Sequence, residues 1–524
     1  MVVIRTTENQ ALNVFGENWK EELNFFSRVM GFSVENNDEV KIELNPDRPD
    51  LYSIMALHKA YLRFQNKKFL KGELKKSNRI LISSSSQRKY AMAFEVHFKS
   101  NGQEIMQDSL AFTDKLSETT GRARRLFAFG LHDADHVHGN LNYCEGVSSF
   151  DFITFDEVSG NIWDLIANHE KGISYAGNLK GGKYLSITDN EGAISIPPLF
   201  NSKRTRIRGD TKTMLVDITS EDLKSLEVAA RLSIGYFVNL GADIYVMETK
   251  GENALDIENL LRESHIAIEQ SYIKKFLGFI PENVKMDSIF ERMGYTKYDA
   301  NTYTPFIGRV DIMGKADLME DFVKAIELRN IPEAPLYSTF TGKPDLFNAM
   351  TEKLRSILLS LGLQEVINFV LTSKKIEDNE AVLIMNPKSE DYSAIRKSLF
   401  NGIMEFFKRN KHNGFPQKIF EIGDIIDQNA QKRVLSIGIC SNSSSYSEIK
   451  GYLDSILGSV GIFNFTISAE SLSGFINGRS GYITINNQRS GFIGEIHPET
   501  IKLYELELPA VYMQIDLDSL NGKI

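Results

Sequence analysis

Three stretches of the chain bring chemically capable side chains close together. The sharpest is Asp311-Ile312-Met313-Gly314-Lys315-Ala316-Asp317-Leu318-Met319-Glu320-Asp321. On a helix beginning near Ala316, Asp317, Glu320 and Asp321 fall at i, i+3 and i+4, so three carboxylates share one face, and Asp311 reaches that face from the preceding turn. Like charges at this spacing repel by roughly 0.2–0.5 kcal/mol per pair. A hard divalent cation such as Mg2+, held by oxygen ligands, would remove that cost. The same spacing suits a solvated face with Asp317 at the helix N-terminus, where negative charge is favoured; the pattern alone leaves both open. The second stretch, His132-Asp133-Ala134-Asp135-His136-Val137-His138, has the donors of a metal-dependent phosphohydrolase. No second His/Asp cluster completes a two-metal site, and a polar turn after the apolar run Leu126 to Leu131 is the expected structure. The third, Gly177-Asn178-Leu179-Lys180-Gly181-Gly182-Lys183-Tyr184, imitates a phosphate-binding loop. It puts Tyr184 where a magnesium-binding hydroxyl belongs, and β-like sequence follows where a helix is required, so a glycine-rich hairpin turn is expected.

Basic residues gather at Gly121-Arg122-Ala123-Arg124-Arg125 and Lys203-Arg204-Thr205-Arg206-Ile207-Arg208. Either could touch RNA phosphates, or both are exposed loops balancing an acidic chain. No GxSxG elbow and no Cys/His pairing suggests a nucleophile.

The elements that must position these residues fall into four segments. Residues 1–76 form an α/β segment. Trp19, Leu23, Phe26 and Val29 have helical spacing, Asp50 is placed to cap a helix from Leu51, and lysine-rich Lys67 to Ser77 reads as a linker. Residues 79–263 combine short β-like runs (Ile80 to Ile82, Phe94 to Phe98, Tyr184 to Ile187, Met214 to Ile218) with an amphipathic helix over Asp222 to Leu240, whose face is Leu223, Leu226, Ala230, Ile234 and Phe237. Residues 264–335 hold two or three helices and the acidic run. Residues 336–524 open with a helix through Leu346, Met350, Leu354, Ile357, Leu358 and Leu361, stopped at Gly362. Strand candidates follow at Val366 to Leu371, Phe420 to Ile426, Val434 to Cys440, Gly481 to Ile485 and Val511 to Leu517, an order that suits an antiparallel sheet flanked by helices.

With 524 residues the chain exceeds one ordinary core, and 42% hydrophobic with 25% charged residues is an ordinary globular balance. No apolar run reaches the roughly 18 residues of a membrane span, and Met1 to Gln10 has no signal-peptide pattern. Two distant cysteines, Cys144 and Cys440, argue for a reducing compartment, so a cytoplasmic location is expected. A net charge of −9 weighs against a free-standing nucleic-acid binder but allows a local basic patch. Residue chemistry by itself names no reaction.

Motifs in order carry a resemblance. Ile42-Glu43-Leu44-Asn45-Pro46-Asp47-Arg48-Pro49-Asp50-Leu51, Gly121-Arg122 with Phe129-Gly130-Leu131-His132-Asp133, Asn386-Pro387-Lys388-Ser389-Glu390 through Arg396, Asn410-Lys411-His412, Phe420-Glu421-Ile422-Gly423-Asp424 and Gly491-Phe492-Ile493-Gly494-Glu495-Ile496-His497-Pro498-Glu499 resemble, from one end to the other, the phenylalanyl-tRNA synthetase beta-subunit family of archaeal and eukaryotic type. The resemblance implies a multidomain α+β fold: an antiparallel-sheet editing domain (B3/B4-like) at 79–263, a small helical magnesium-bearing domain (B5-like) at 264–335, and a degenerate class II synthetase catalytic-like core at 336–524. It implies a beta subunit of phenylalanine–tRNA ligase in an α2β2 heterotetramer that binds tRNA(Phe), with the ATP-dependent aminoacylation site on the alpha subunit. It also implies hydrolysis of mischarged Tyr-tRNA(Phe).

Residue by residue, Asp311, Asp317, Glu320 and Asp321 match the family's magnesium carboxylates, one ion near the alpha-subunit contact. Pro197-Pro198-Leu199-Phe200-Asn201-Ser202 and Asp217-Ile218-Thr219 resemble its editing-pocket motifs, which makes Asp217, Thr219, Asn201 and Ser202 the editing candidates. Ser220 stands where relatives often have glycine. Phe420 to Asp424 lacks the arginine expected for ATP, Gly478-Arg479-Ser480-Gly481 is a poor terminal arginine motif, and bacterial-type tRNA- and anticodon-binding additions are expected to be missing.

Overall fold

Val, Ile, Met and Ala dominate Ala91 to Val96 and Met214 to Ile218, and such runs form strands covered on both faces. Strand Thr213–Ser220 is accordingly buried at every position but its first. The computed structural model describes residues 2–36, 39–68, 71–99, 103–280, 285–335, 337, 340–377, 381–427 and 430–520, in two units, 1–334 and 335–524.

The first unit centres on a nine-stranded sheet. Its order is Phe200–Asn201, Gly192–Ile196, Tyr184–Asp189, Leu141–Gly146, Leu74–Ser83, Asp243–Gly251, Tyr90–His97, Thr213–Ser220 and Phe127–Asp133. The sheet is mixed rather than antiparallel, because Leu74–Ser83 runs parallel to both Leu141–Gly146 and Asp243–Gly251. That strand begins inside the lysine-rich stretch expected to be a linker, which its backbone pairing at Leu74, Lys75 and Lys76 overrides. Helix Leu223–Asn239 is capped by Asp222 and buries Leu226, Ala230, Ile234 and Phe237, while Leu223 stays exposed.

A three-stranded sheet, Val2–Thr6, Val40–Leu44 and Ser33–Asn36, packs with helices Trp19–Arg28 and Ile54–Phe64. Ser53, not Asp50, caps the latter helix; the Asp50 carboxylate is taken by the Arg48 fork at 2.8 Å on each oxygen. Residues 264–334 add helices Gln270–Leu277, Met286–Met293 and Lys315–Ile326, and also a small sheet of Ile266–Ala267, Thr302–Pro305 and Tyr295–Lys297 that helical patterning did not reveal. One apolar cluster runs through all three segments, joining Phe26, Phe94, Phe237, Phe290 and Phe322.

The second unit has a seven-stranded sheet: Gln364–Glu365, Gln417–Asp427, Ala430–Cys440, Ala510–Asp516, Gln488–Ile496, Phe475–Ile485 and Phe465–Ala469. Every neighbouring pair is antiparallel except the first. Helix Leu346–Ser360 buries Met350, Leu354 and Leu358 against it and ends before Gly362, whose φ of +80° is that of a left-handed cap. The run expected as a strand over Val366 to Leu371 leaves the sheet. Asn368 donates from its backbone and side chain to Glu421, and Ile367 and Phe369 turn outward, 88% and 77% exposed. Among the described residues no helix is long and apolar enough to cross a membrane.

Candidate functional site

Asp217 sits in the middle of strand Thr213–Ser220, opposite Gly130 of strand Phe127–Asp133. A β-carbon at Gly130 would lie 2.0 Å from Asp217 Oδ2, so only glycine lets the carboxylate lie across the neighbouring strand. Oδ2 is 2.9 Å from His132 Nε2, and His132 Nδ1 is 2.8 Å from Thr205 Oγ1. All three side chains are buried. His132 therefore belongs to the strand and faces inward, not to a polar turn. The rest of its cluster goes elsewhere: Asp133 accepts from Thr211 Oγ1 at 2.8 Å and from the Asp135 backbone, and His138 lies near Glu191 at the surface. The residues of the metal phosphohydrolase reading are thus divided between separate environments.

Asp217 forms one wall of a cavity of about 150 Å³, roughly the volume that holds one benzene ring. Phe129 and Gly130 lie beside it; Pro197, Pro198, Leu199, Phe200 and Asn201 form the facing wall, with Arg124, Asp114 and Lys171 at its polar edge. Arg124 donates to Pro198 O at 3.2 Å and to Asp114 at 3.0 Å. It sits at the end of an unusual turn, in which Arg122, Ala123 and Arg124 have φ of +52°, +54° and +61°. Left-handed backbone costs L-residues about 1–2 kcal/mol each, and such strain persists where surrounding contacts enforce it. Here buried Arg88 enforces it, donating to Arg124 O at 3.0 Å and Arg125 O at 2.9 Å.

The other editing candidates separate. Thr219 is fully buried, and its hydroxyl and carbonyl face Arg88 (3.4 and 2.8 Å) rather than the cavity. Asn201 lines the cavity and accepts from Ser195 at 3.4 Å. Ser202 lines a second, open cavity of about 1040 Å³ that shares Leu110 and Phe155 with the first. Ser220 turns its hydroxyl to Leu126 O, away from both. The basic loop 203–208 edges the larger cavity. Arg204 is anchored on Asp189 at 2.7 Å, Arg206 pairs with Glu157 and lies 4.8 Å from the centre of the Phe155 ring, and Arg208 is exposed. The Gly177 stretch is a turn between a helix and a strand, with Gly181 and Gly182 at positive φ, not a hairpin.

The acidic run is built differently. Arg309, two residues before Asp311, forks onto it at 2.9 and 2.7 Å and reaches Asp321 at 2.7 Å. Asp321 also accepts from the Tyr295 hydroxyl at 2.6 Å. Burial alone would lower the Arg309 pKa, but Asp321 and Asp311 outweigh it and hold the guanidinium well above its ordinary value. Burial would raise the Asp311 carboxyl; hydrogen bonding and charge from Arg309 bring it below the usual range. Asp317 Oδ2 accepts from the Met313 and Gly314 backbone amides at 2.7 and 2.8 Å, capping helix Lys315–Ile326. Glu320 pairs with Lys324 at 2.7 Å on the exposed side. Two of the four carboxylates thus share one guanidinium, a third serves the backbone and the fourth points outward. Among the described residues no group of three or more His, Cys, Asp or Glu side chains is arranged to hold a metal, and the four as placed do not fit a single ion.

The family model described as phenylalanyl tRNA synthetase beta chain CLM domain matches residues 331–517. Curated relatives named phenylalanine–tRNA ligase beta subunit, from Thermoplasma volcanium and Thermoplasma acidophilum, are 32% and 34% identical over 99% of this chain, covering 99% and 98% of their own lengths. The chain belongs to the phenylalanine–tRNA ligase beta-subunit family. A crystal structure of an N-terminal fragment of the phenylalanyl-tRNA synthetase beta subunit from Pyrococcus horikoshii shares the fold, with a TM-score of 0.53, 22% identity, and coverage of 62% of this chain and 99% of the fragment.

In this beta-subunit family member, sequence reasoning found Asp217 and the 197–201 wall but missed His132, Arg88 and Arg124 as parts of one site. His132 had a readable signal. It lies two positions from Gly130, on the same face of a strand, and a glycine inside a strand marks close approach by another group.

Proposed function

We propose that this chain is the beta subunit of a phenylalanine–tRNA ligase heterotetramer, and that its Asp217 pocket hydrolyses tyrosine mischarged onto tRNA(Phe). The observation that carries the hydrolytic part is a one-ring cavity with a buried carboxylate in its wall. An apolar aminoacylation pocket rejects an isostere bearing one added hydroxyl by only about a hundredfold, so a second, hydrolytic sieve is needed. An ionised carboxylate only accepts hydrogen bonds, and Asp217 is placed to orient the substrate's ammonium group or the attacking water at the ester carbonyl. Asn201, on the facing wall, offers an amide to the same space. The larger cavity, edged by Lys203, Arg204, Arg206 and Arg208, suits the tRNA acceptor end, whose phosphates favour cations.

In this reading residues 79–263 form the editing region, and 336–524 is a class II-like core without ATP chemistry that supports the alpha subunit. The second assignment is supported by Phe420 to Asp424, which carries no arginine, and by Glu421, whose carboxylate is taken by buried Arg396 at 2.6 Å and by Asn368. ATP and Mg2+ serve the alpha subunit's aminoacylation, and no action of this chain's own side chains passes through them.

Co-expression with an alpha subunit tests the reading. The assembly should show phenylalanine-dependent ATP–pyrophosphate exchange and the isolated chain none; exchange by the chain alone would remove the division of labour. The assembly should also deacylate Tyr-tRNA(Phe), and Asp217→Ala should abolish that activity while Phe-tRNA formation continues. A deacylation rate untouched by Asp217→Ala would take Asp217 out of the site.

A further inference from the structure

We propose that His132 is the positioning residue of the Asp217 pocket, an imidazole that links the basic 203–208 loop to the carboxylate through Thr205. The inference rests on the hydrolytic reading of that pocket and deepens it.

The hydrogen bonds connect Thr205, His132 and Asp217 in series. With its proton on Nε2, His132 donates to Asp217 Oδ2 at 2.9 Å, and Nδ1 accepts the Thr205 hydroxyl at 2.8 Å. Every bond then has one donor and one acceptor. His132 and Thr205 are fully buried and Asp217 is 1% exposed. A carboxylate so deep in the fold needs a donor, and among the described residues His132 is the side chain that hydrogen-bonds to it, leaving Oδ1 as the acceptor for substrate or water.

The far end of the chain is also fixed. The Asp133 amide donates to Thr205 O at 2.8 Å, while Asp133 Oδ2 accepts from Thr211 at 2.8 Å, so Thr205 itself and Thr211, just after the loop, are both tied to the end of strand Phe127–Asp133. Thr205 lies between Arg204 and Arg206, the residues edging the larger cavity. Anything that draws those arginines, such as an RNA phosphate, therefore acts on Thr205, and through His132 on the rotamer of Asp217. A wall that needed only volume would be filled as well by leucine, without two buried hydrogen bonds to satisfy.

The test uses the α2β2 assembly carrying wild-type beta chain, His132→Ala, His132→Gln or Thr205→Val. It measures kcat and KM for Tyr-tRNA(Phe) deacylation, with Phe-tRNA formation as the control for folding and assembly. His132→Ala should lower kcat by about 10- to 100-fold, the worth of a hydrogen bond to a charged group, with KM changed less than about twofold. His132→Gln, whose side-chain amide still donates to Oδ2, should recover most of that loss. Thr205→Val keeps the imidazole but loosens it and should lower kcat by about two- to tenfold; it decides the matter if the alanine variant fails to assemble. Equal loss in the alanine and glutamine variants, or wild-type kcat in alanine or in Thr205→Val, overturns the positioning role while leaving the pocket's activity intact. A wild-type assembly that does not deacylate Tyr-tRNA(Phe) removes the hydrolytic reading, and this inference with it.

Discussion

Asp217 and Asp321 are both buried aspartates in the first unit, and each is held by hydrogen bonds shorter than 3 Å, yet their surroundings differ in kind. Asp321 Oδ2 meets a guanidinium that Asp321 shares with Asp311, and the same oxygen accepts from the Tyr295 hydroxyl. Asp217 meets an imidazole and a cavity. In the acidic run each carboxylate already has a partner: Arg309 for Asp311 and Asp321, backbone amides for Asp317 and Lys324 for Glu320. Asp217 differs in that it also lines a cavity. Burial of a carboxylate is thus no sign of chemistry by itself; what counts is whether its partner and its walls leave an acceptor exposed to a space of molecular size.

The largest expected effect breaks the acidic side of this contrast. Arg309→Met removes the guanidinium that Asp311 and buried Asp321 share, and loss of one partner from a buried pair costs about 3–5 kcal/mol. Urea or thermal unfolding of the transition containing the first unit measures it. The same interaction has a pH sign: the Asp311 carboxyl lies below its ordinary value when folded, so its contribution is present above the unfolded Asp pKa of about 3.9 and is lost as pH falls through the lower folded value. That acid-side loss should disappear in Arg309→Met.

Next is Gly130→Ala, whose added carbon overlaps Asp217 Oδ2. Overpacking of this kind costs about 1–3 kcal/mol. It should move the carboxylate and suppress Tyr-tRNA(Phe) deacylation while leaving Phe-tRNA formation; retained deacylation would mean that the pocket does not need Asp217 where it lies. Asp317→Ala removes the helix cap and should cost about 0.5–2 kcal/mol, while Glu320→Gln loses only an exposed pair worth less than about 1 kcal/mol. The smallest expected effect is that of chelation. Treatment of the isolated chain with EDTA should leave its unfolding midpoint unchanged. A clear drop, cancelled by Glu320→Gln or Asp317→Ala, would make the run an ion site after all and dissolve the contrast.

The elements were legible wherever periodicity is local. Helix Lys315–Ile326 begins one residue before the position its pattern indicates, and Met214 to Ile218 reads as a strand because its burial is written in its composition. For the acidic run only the carboxylates were weighed. Arg309, two residues upstream in the same stretch of sequence, pairs with two of them. Glu421 and Asn368 misled, since a side-chain hydrogen bond drew an apolar run out of the sheet that its propensity favoured.

The sequence by itself determined the family, through motifs in a shared order, and most helices and strands, through spacings of 3.6 and 2 residues. It also marked the wall of the pocket at 197–201 and the aspartate facing it. Only the tertiary structure decided which charged groups meet. His132 and Asp217 are 85 residues apart, and Arg88 and Thr219 are 131 apart. Those meetings depend on the register of strand Thr213–Ser220 against its two neighbours. A shift of one residue would send each side chain to the opposite face, and no local pattern encodes a pairing between distant strands.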